Sequence, residues 1–101
     1  RIRMIVRIVK MTFEASKVGD FQKMFEEKKE HIRGFEGCQR LELLRDASDS
    51  NVFFTYSFWN KAENLESYRH SDLFKETWRF TKSLFSDKPE AWSLNQEVVL
   101  T

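Results

Sequence analysis

The stretch Val52-Phe53-Phe54-Thr55-Tyr56-Ser57-Phe58-Trp59 carries five aromatic rings in eight residues. Aromatic and β-branched residues at this density predict a strand. Alternation puts Val52, Phe54, Tyr56 and Phe58 on one face and Phe53 and Trp59 on the other. Neither face can be left to water. A sheet that is dry on both sides, with helices available for only one, calls for a second sheet against the other.

The polar cluster Asp46, Ser48, Asp49, Ser50 and Asn51 lies just upstream and reads as a turn. Before it, a strand is expected from about Phe35 to Arg45, with Gln39, Leu41 and Leu43 opposite Cys38, Arg40, Glu42 and Leu44. The two strands form a hairpin. Further upstream, Met4 to Met11 reads as the first strand, with Met4, Val6 and Ile8 on one face and Ile5, Arg7, Val9 and Met11 on the other. Ser16 is placed to cap a helix whose apolar positions Val18, Phe21, Phe25 and Ile32 recur at helical spacing, widened by Met24. Gly34 marks its end.

Downstream, Asn60 is the expected N-cap of a helix, with Glu63 at the capping-box position. This helix carries Ala62, Leu65 and Tyr68 and pauses near Ser71 and Asp72. A second helical stretch runs through Phe74, Trp78, Thr81 and Phe85, until Lys88 and Pro89 break it. A last strand is expected from Trp92 to Leu100. The order β-α-β-β-α-β predicts an α+β fold of ferredoxin-like, split βαβ type, with a four-stranded antiparallel sheet and helices on one face.

The 101 residues correspond to one domain, 1–101. The chain is 41% apolar and includes ten Phe, more aromatic bulk than a core this small needs. A partner subunit or a ligand must cover the surplus. Seventeen basic and sixteen acidic side chains leave a net charge of +1, so there is no positive field for nucleic acid. The basic group Lys28, Lys29 and Arg33 is interleaved with Glu26, Glu27 and Glu30, as on a solvated helix face. No apolar run approaches the roughly 20 residues that cross a bilayer, and no membrane partner is expected. The lone Cys38 allows no internal disulfide, and a cytoplasmic location is the expectation.

Recognisable catalytic constellations are scarce. His31 and His70 are far apart, and neither sits at metal-ligand spacing with Cys, Asp or Glu. His70, Ser71 and Asp72 have triad chemistry but are consecutive, so on a helix they point about 100° apart. A cap or turn role suits them better. Cys38 reads as a small buried hydrophobe. Phosphate-cradling glycine patterns are missing. Arg7, between Ile5 and Val9, stands out more. On a covered face its guanidinium needs a carboxylate, a carbonyl cluster or an anionic ligand. Edge exposure or an ion pair with Glu97 or Glu42 is the simpler expectation. Tyr56, Tyr68, Trp78 and Trp92 suit either a core or a cavity wall.

Three segments carry a family resemblance: the first strand leading into Thr12-Phe13, the run Arg33-Gly34-Phe35-Glu36-Gly37, and the stretch from Phe58-Trp59-Asn60-Lys61 through Ser71-Asp72-Leu73-Phe74. Together they resemble the antibiotic biosynthesis monooxygenase family. The resemblance implies a dimeric α+β barrel in which two sheets pack at the subunit interface and each subunit keeps a pocket between helices and sheet. With the two-sided apolar character of Val52 to Trp59, it predicts a homodimer through sheet faces, with Trp92, Leu94 and the aromatic face of the third strand at or near the contact. Many relatives carry a histidine where this chain has Tyr68 and another where it has Leu73. The haem-degrading branch places asparagine, tryptophan and its ligating histidine at the positions of Arg7, Tyr68 and Trp78. An indole nitrogen has no lone pair for iron, so no haem and no other cofactor is expected.

The resemblance points to a cofactor-independent monooxygenase acting on a small aromatic or quinol-like substrate. In that scheme Arg7 stabilises the substrate oxyanion, Tyr68 orients it as a phenol, and Trp78 forms the ring wall. The alternative is a noncatalytic dimeric module that binds a small molecule or is purely structural.

Overall fold

The computed structural model describes residues 3–101. Strand β1 (Ile5–Thr12) leads through a short 3-10 turn, Ala15–Lys17, into helix α1 (Val18–Arg33). The hairpin β2 (Cys38–Arg45) and β3 (Val52–Trp59) follows, then α2 (Ala62–Arg69), α3 (Asp72–Lys82) and β4 (Glu90–Asn95). The sheet order is β2-β3-β1-β4, and every neighbouring pair is antiparallel. This is the α+β ferredoxin-like arrangement that the order of elements predicts.

Strand β3 has the limits expected from its aromatic run. Its register pairs Ile8 with Tyr56 and Arg7 with Ser57, and Arg7 with Ser93 of β4. One face therefore carries Arg7, Val9, Met11, Phe53, Thr55, Ser57, Ala91 and Ser93, and the helices cover it. Phe13 and Phe21 are buried there and stack with ring centroids 4.3 Å apart, while Phe53 meets both edge-on at 5.8 and 5.5 Å. The opposite face presents Val6, Ile8, Phe54, Tyr56, Phe58, Trp92 and Leu94, and no helix packs on it.

Several boundaries differ from expectation. Strand β2 begins at Cys38 rather than Phe35, because Gly37 turns the chain with φ +87°. A Cβ at Gly37 would stand 2.2 Å from the Asn64 side chain, so α2 packs on bare backbone here. A β-bulge between Cys38 and Arg40 then shifts the register. It turns Cys38 to the helix side, the face of Leu41 and Leu43, instead of the face of Arg40 and Glu42. Ser16 lies inside the 3-10 turn, and Lys17 occupies the N-cap of α1 without a side-chain bond. Asn60 is not the cap of α2 either. Its backbone N–H donates to Gly37 O at 2.8 Å, and Lys61 takes the cap position. Ser71 does cap α3, its Oγ accepting from the Phe74 N–H at 3.1 Å. Strand β4 stops at Asn95, leaving Val98 and Leu100 exposed in an irregular segment.

Candidate functional site

Between the covered sheet face and the helices lies a cavity of about 320 Å3, within the size range of small-molecule sites. Arg7, Val9 and Met11 of β1, Thr55 and Ser57 of β3, and Ala91 of β4 form its floor. Phe21, Met24 and Phe25 of α1 close one side, and Phe74, Thr77, Trp78 and Thr81 of α3 another. Leu65, Tyr68 and Arg69 of α2 complete the wall. Arg7, Tyr68 and Trp78 thus border one space, although they come from three different elements.

Arg7 is half-buried, and its Nη1 donates to Ser93 Oγ at 2.9 Å. The expected ion pairs with Glu97 or Glu42 are not formed. Glu42 lies on the opposite sheet face and pairs with Arg40. Glu97 lies beyond β4, 4.0 Å from Arg3. Burial lowers the proton affinity of Arg7, the positive charge of Arg69 lowers it further, and Glu66 acts the other way. A guanidinium stays charged through such a shift. The cavity therefore has a fixed positive group on its floor.

Tyr68 stacks on Trp59 at 5.1 Å and meets Phe35 and Phe74 edge-on at 5.4 and 5.2 Å. Burial pushes its phenol far above the ordinary value of 10.0, and the nearby Cys38 adds to the effect. Tyr68 is consequently a neutral hydroxyl at physiological pH, able to donate a hydrogen bond but not to act as a base. The native state holds this proton more tightly than the unfolded chain, so stability falls as pH rises past about 10, the unfolded value. Urea titrations at pH 9 and pH 11 are expected to show a smaller alkaline loss in Tyr68→Phe than in the parent. Equal losses would remove Tyr68 as the cause.

Trp78 lies nearly parallel to Phe74, with centroids 5.9 Å apart, and meets Phe85 edge-on at 5.7 Å. The pair forms a flat aromatic wall opposite β1. Arg69, which borders the same cavity, and Ser93, the hydrogen-bond partner of Arg7, are neighbours that sequence reasoning missed. Arg69 follows Leu65 by one helical turn, a signal that was available. The pairing of Ser93 with Arg7 depends on strand register, which no local pattern in the sequence reveals.

Neither histidine borders the cavity. His31 is exposed on α1, and the exposed His70 places Nδ1 2.9 Å from Glu66 O. Cys38 is buried against Trp59 and Leu65, and burial raises its thiol pKa, as in an inert structural cysteine. Among the described residues no three His, Cys, Asp or Glu side chains form a metal-ligating group. Among the described residues no helix is long and apolar enough to cross a membrane.

The sequence profile of the antibiotic biosynthesis monooxygenase family matches residues 4–79 of this chain. The chain belongs to that family, and membership supports a monooxygenase-like or small-molecule-binding function. Among solved structures, a conserved protein from Methanosarcina mazei Go1 is similar, with 18% identity, 92% of each chain covered and a TM-score of 0.88. The Rv0793 protein of Mycobacterium tuberculosis aligns over 97% of this chain and 99% of its own, with 11% identity and a TM-score of 0.88. PA3566 from Pseudomonas aeruginosa aligns over 95% and 96%, with 18% identity and a TM-score of 0.83. Likeness at such low identity establishes the shared fold. No curated protein matches this chain significantly.

The residues present do not suit haem. The position that the resemblance gives to an iron-ligating histidine is Trp78, packed flat against Phe74. Its indole nitrogen has no lone pair to offer iron.

Proposed function

We propose that this chain is a cofactor-independent monooxygenase acting on a small aromatic, quinol-like substrate. The observation that carries this reading is a fixed guanidinium, Arg7, on the floor of a cavity walled mainly by aromatic and aliphatic side chains, with Arg69 at its α2 side. An electron-rich ring between β1 and the Phe74–Trp78 wall would place its oxygen toward Arg7. There the positive charge favours the deprotonated, oxygen-reactive form, and the dry surroundings strengthen the attraction. Tyr68 would donate a hydrogen bond to the same oxygen. For a 1,4-quinol the products are a 2-hydroxyquinone and water. One atom of dioxygen enters the ring, and the substrate supplies all four electrons.

The test is oxygen uptake with a panel of hydroquinones and dihydroxynaphthalenes. Turnover above the uncatalysed rate is expected, falling by about 10²–10³-fold in Arg7→Ala, the scale for loss of one oxyanion donor. Unchanged turnover in that variant, with the fold intact, would remove Arg7 from the chemistry.

One observation favours the noncatalytic binding alternative. Among the described residues, no carboxylate or imidazole side chain is directed into the cavity to take the substrate's proton. Glu90 borders it, but strand alternation sends its side chain to the other face, where it meets Lys10 at 3.9 Å. A panel that binds without turnover would establish this second reading.

The functional unit we propose is a homodimer joined through the uncovered sheet faces. Trp92 and Leu94 are 41% and 46% exposed there beside Tyr56 and Phe58, an apolar surface of the kind that marks an interface.

A further inference from the structure

The cavity has an unbalanced charge at one end. Arg7 and Arg69 both border it, and the positive charge of Arg69 lowers the proton affinity of Arg7. Glu66 is the carboxylate whose charge acts on Arg7, and its Oε2 lies 3.5 Å from Arg69 Nη1. Glu66 also meets His70 Nδ1 at 3.4 Å, so its attention is divided. The hydrogen bond that the structure gives the Arg7 guanidinium goes to a neutral hydroxyl, Ser93 Oγ. Two positive charges thus face one negative charge. The remaining apolar walls offer nothing to offset the difference.

We infer that the preferred ligand is an aromatic acid carrying a hydroxyl beside its carboxylate, held with the carboxylate between Arg7 and Arg69. A single ligand carboxylate makes the group of charges neutral. Guanidinium forks match carboxylate geometry, and the attraction strengthens where water is excluded. The adjacent ring oxygen then lies on the Arg7 side, and the ring extends along Phe74 and Trp78. This inference rests on the reading of the cavity as a small-molecule site and narrows it. A neutral quinol would satisfy the aromatic wall but leave one guanidinium unmatched.

The probes are 1-hydroxy-2-naphthoate and its neutral isostere 1-hydroxy-2-naphthamide, compared by calorimetry on the intact protein. The acid is expected to bind at least tenfold more tightly than the amide. In Arg69→Gln that preference should fall at least fivefold, the acid losing far more affinity than the amide. The Arg69 side chain is 43% exposed, which makes the variant a mild one for folding. The comparison of acid with amide in the parent protein needs no variant at all. Equal binding of the two probes overturns this inference and leaves the cavity as a site for neutral aromatics. A parallel loss of both probes in Arg69→Gln, or an undiminished preference for the acid, overturns the role of Arg69 and with it the inference. Failure of both probes to bind overturns the small-molecule reading as well.

Discussion

Trp59→Ala is expected to lower the unfolding free energy by about 3–5 kcal/mol, the usual cost of removing a buried aromatic ring. Trp59 is only 1% exposed, and Cys38 and Leu65 pack in the same cluster. Its Nε1 donates to Ser57 Oγ at 3.0 Å, so the substitution empties a large volume and strands a buried hydroxyl as well. Against the 5–15 kcal/mol typical of a domain, such a loss is severe. It should also affect the cavity, because Trp59 is the platform on which Tyr68 stacks. Urea unfolding provides the test, with Trp59→Phe as the milder control that keeps an aromatic platform. A loss below about 1 kcal/mol would show that the ring is not the keystone its burial suggests.

The second large effect is expected in assembly. Trp92→Glu should convert a dimer of 12.2 kDa chains into monomers at micromolar concentration, with the dissociation constant raised on the order of 100-fold or more. Trp92 lies on edge strand β4 and is paired in register with Ile8, in the row that continues to Tyr56. Its ring is partly exposed in the single subunit, so the subunit itself should tolerate a charge there. In a sheet-to-sheet contact the same carboxylate would be buried without a partner. Sedimentation equilibrium distinguishes the outcomes. A parent protein that already sediments near 12.2 kDa would sink the proposed homodimer. A variant that remains dimeric would place the contact elsewhere.

Much of the fold is legible in the sequence because its strongest signals are local. Strand β3 is bounded by a polar turn on one side and by Asn60-Lys61 on the other, and its aromatic content leaves little choice of conformation. The pause at Ser71 is legible for the same reason, since a serine hydroxyl competes well for a free helix N–H. The start of β2 is less so. A glycine with positive φ and a bulge look like ordinary strand residues until the pairing with Trp59 is known, and the bulge decides which way Cys38 faces. At the candidate site, alternation along β1 already sends Arg7 to the side of Ile5, Val9 and Met11. Its partner is a different matter. Ser93 lies 86 residues away in sequence, and only strand register brings the two together. The expectation of Glu42 failed because charge complementarity alone ignores sheet face, and that of Glu97 because β4 stops at Asn95 before reaching it.

Thr77 and Thr81 lie on the cavity side of α3, yet their hydroxyls are turned onto their own helix. Thr77 Oγ1 donates toward Leu73 O at 2.9 Å and Phe74 O at 3.1 Å, and Thr81 Oγ1 donates to Thr77 O at 2.6 Å. With their protons committed to backbone carbonyls, these threonines behave toward a guest much as valines would. The α3 wall therefore offers a guest one donor, the indole N–H of Trp78, while Arg7, Arg69 and Tyr68 supply donors from β1 and α2. An aryloxide held against Trp78 would meet on that side only an indole N–H, too weak an acid to protonate it. An anion so placed would exchange protons chiefly with water entering the cavity, so water access would set both its lifetime and the rate at which solvent deuterium reaches it.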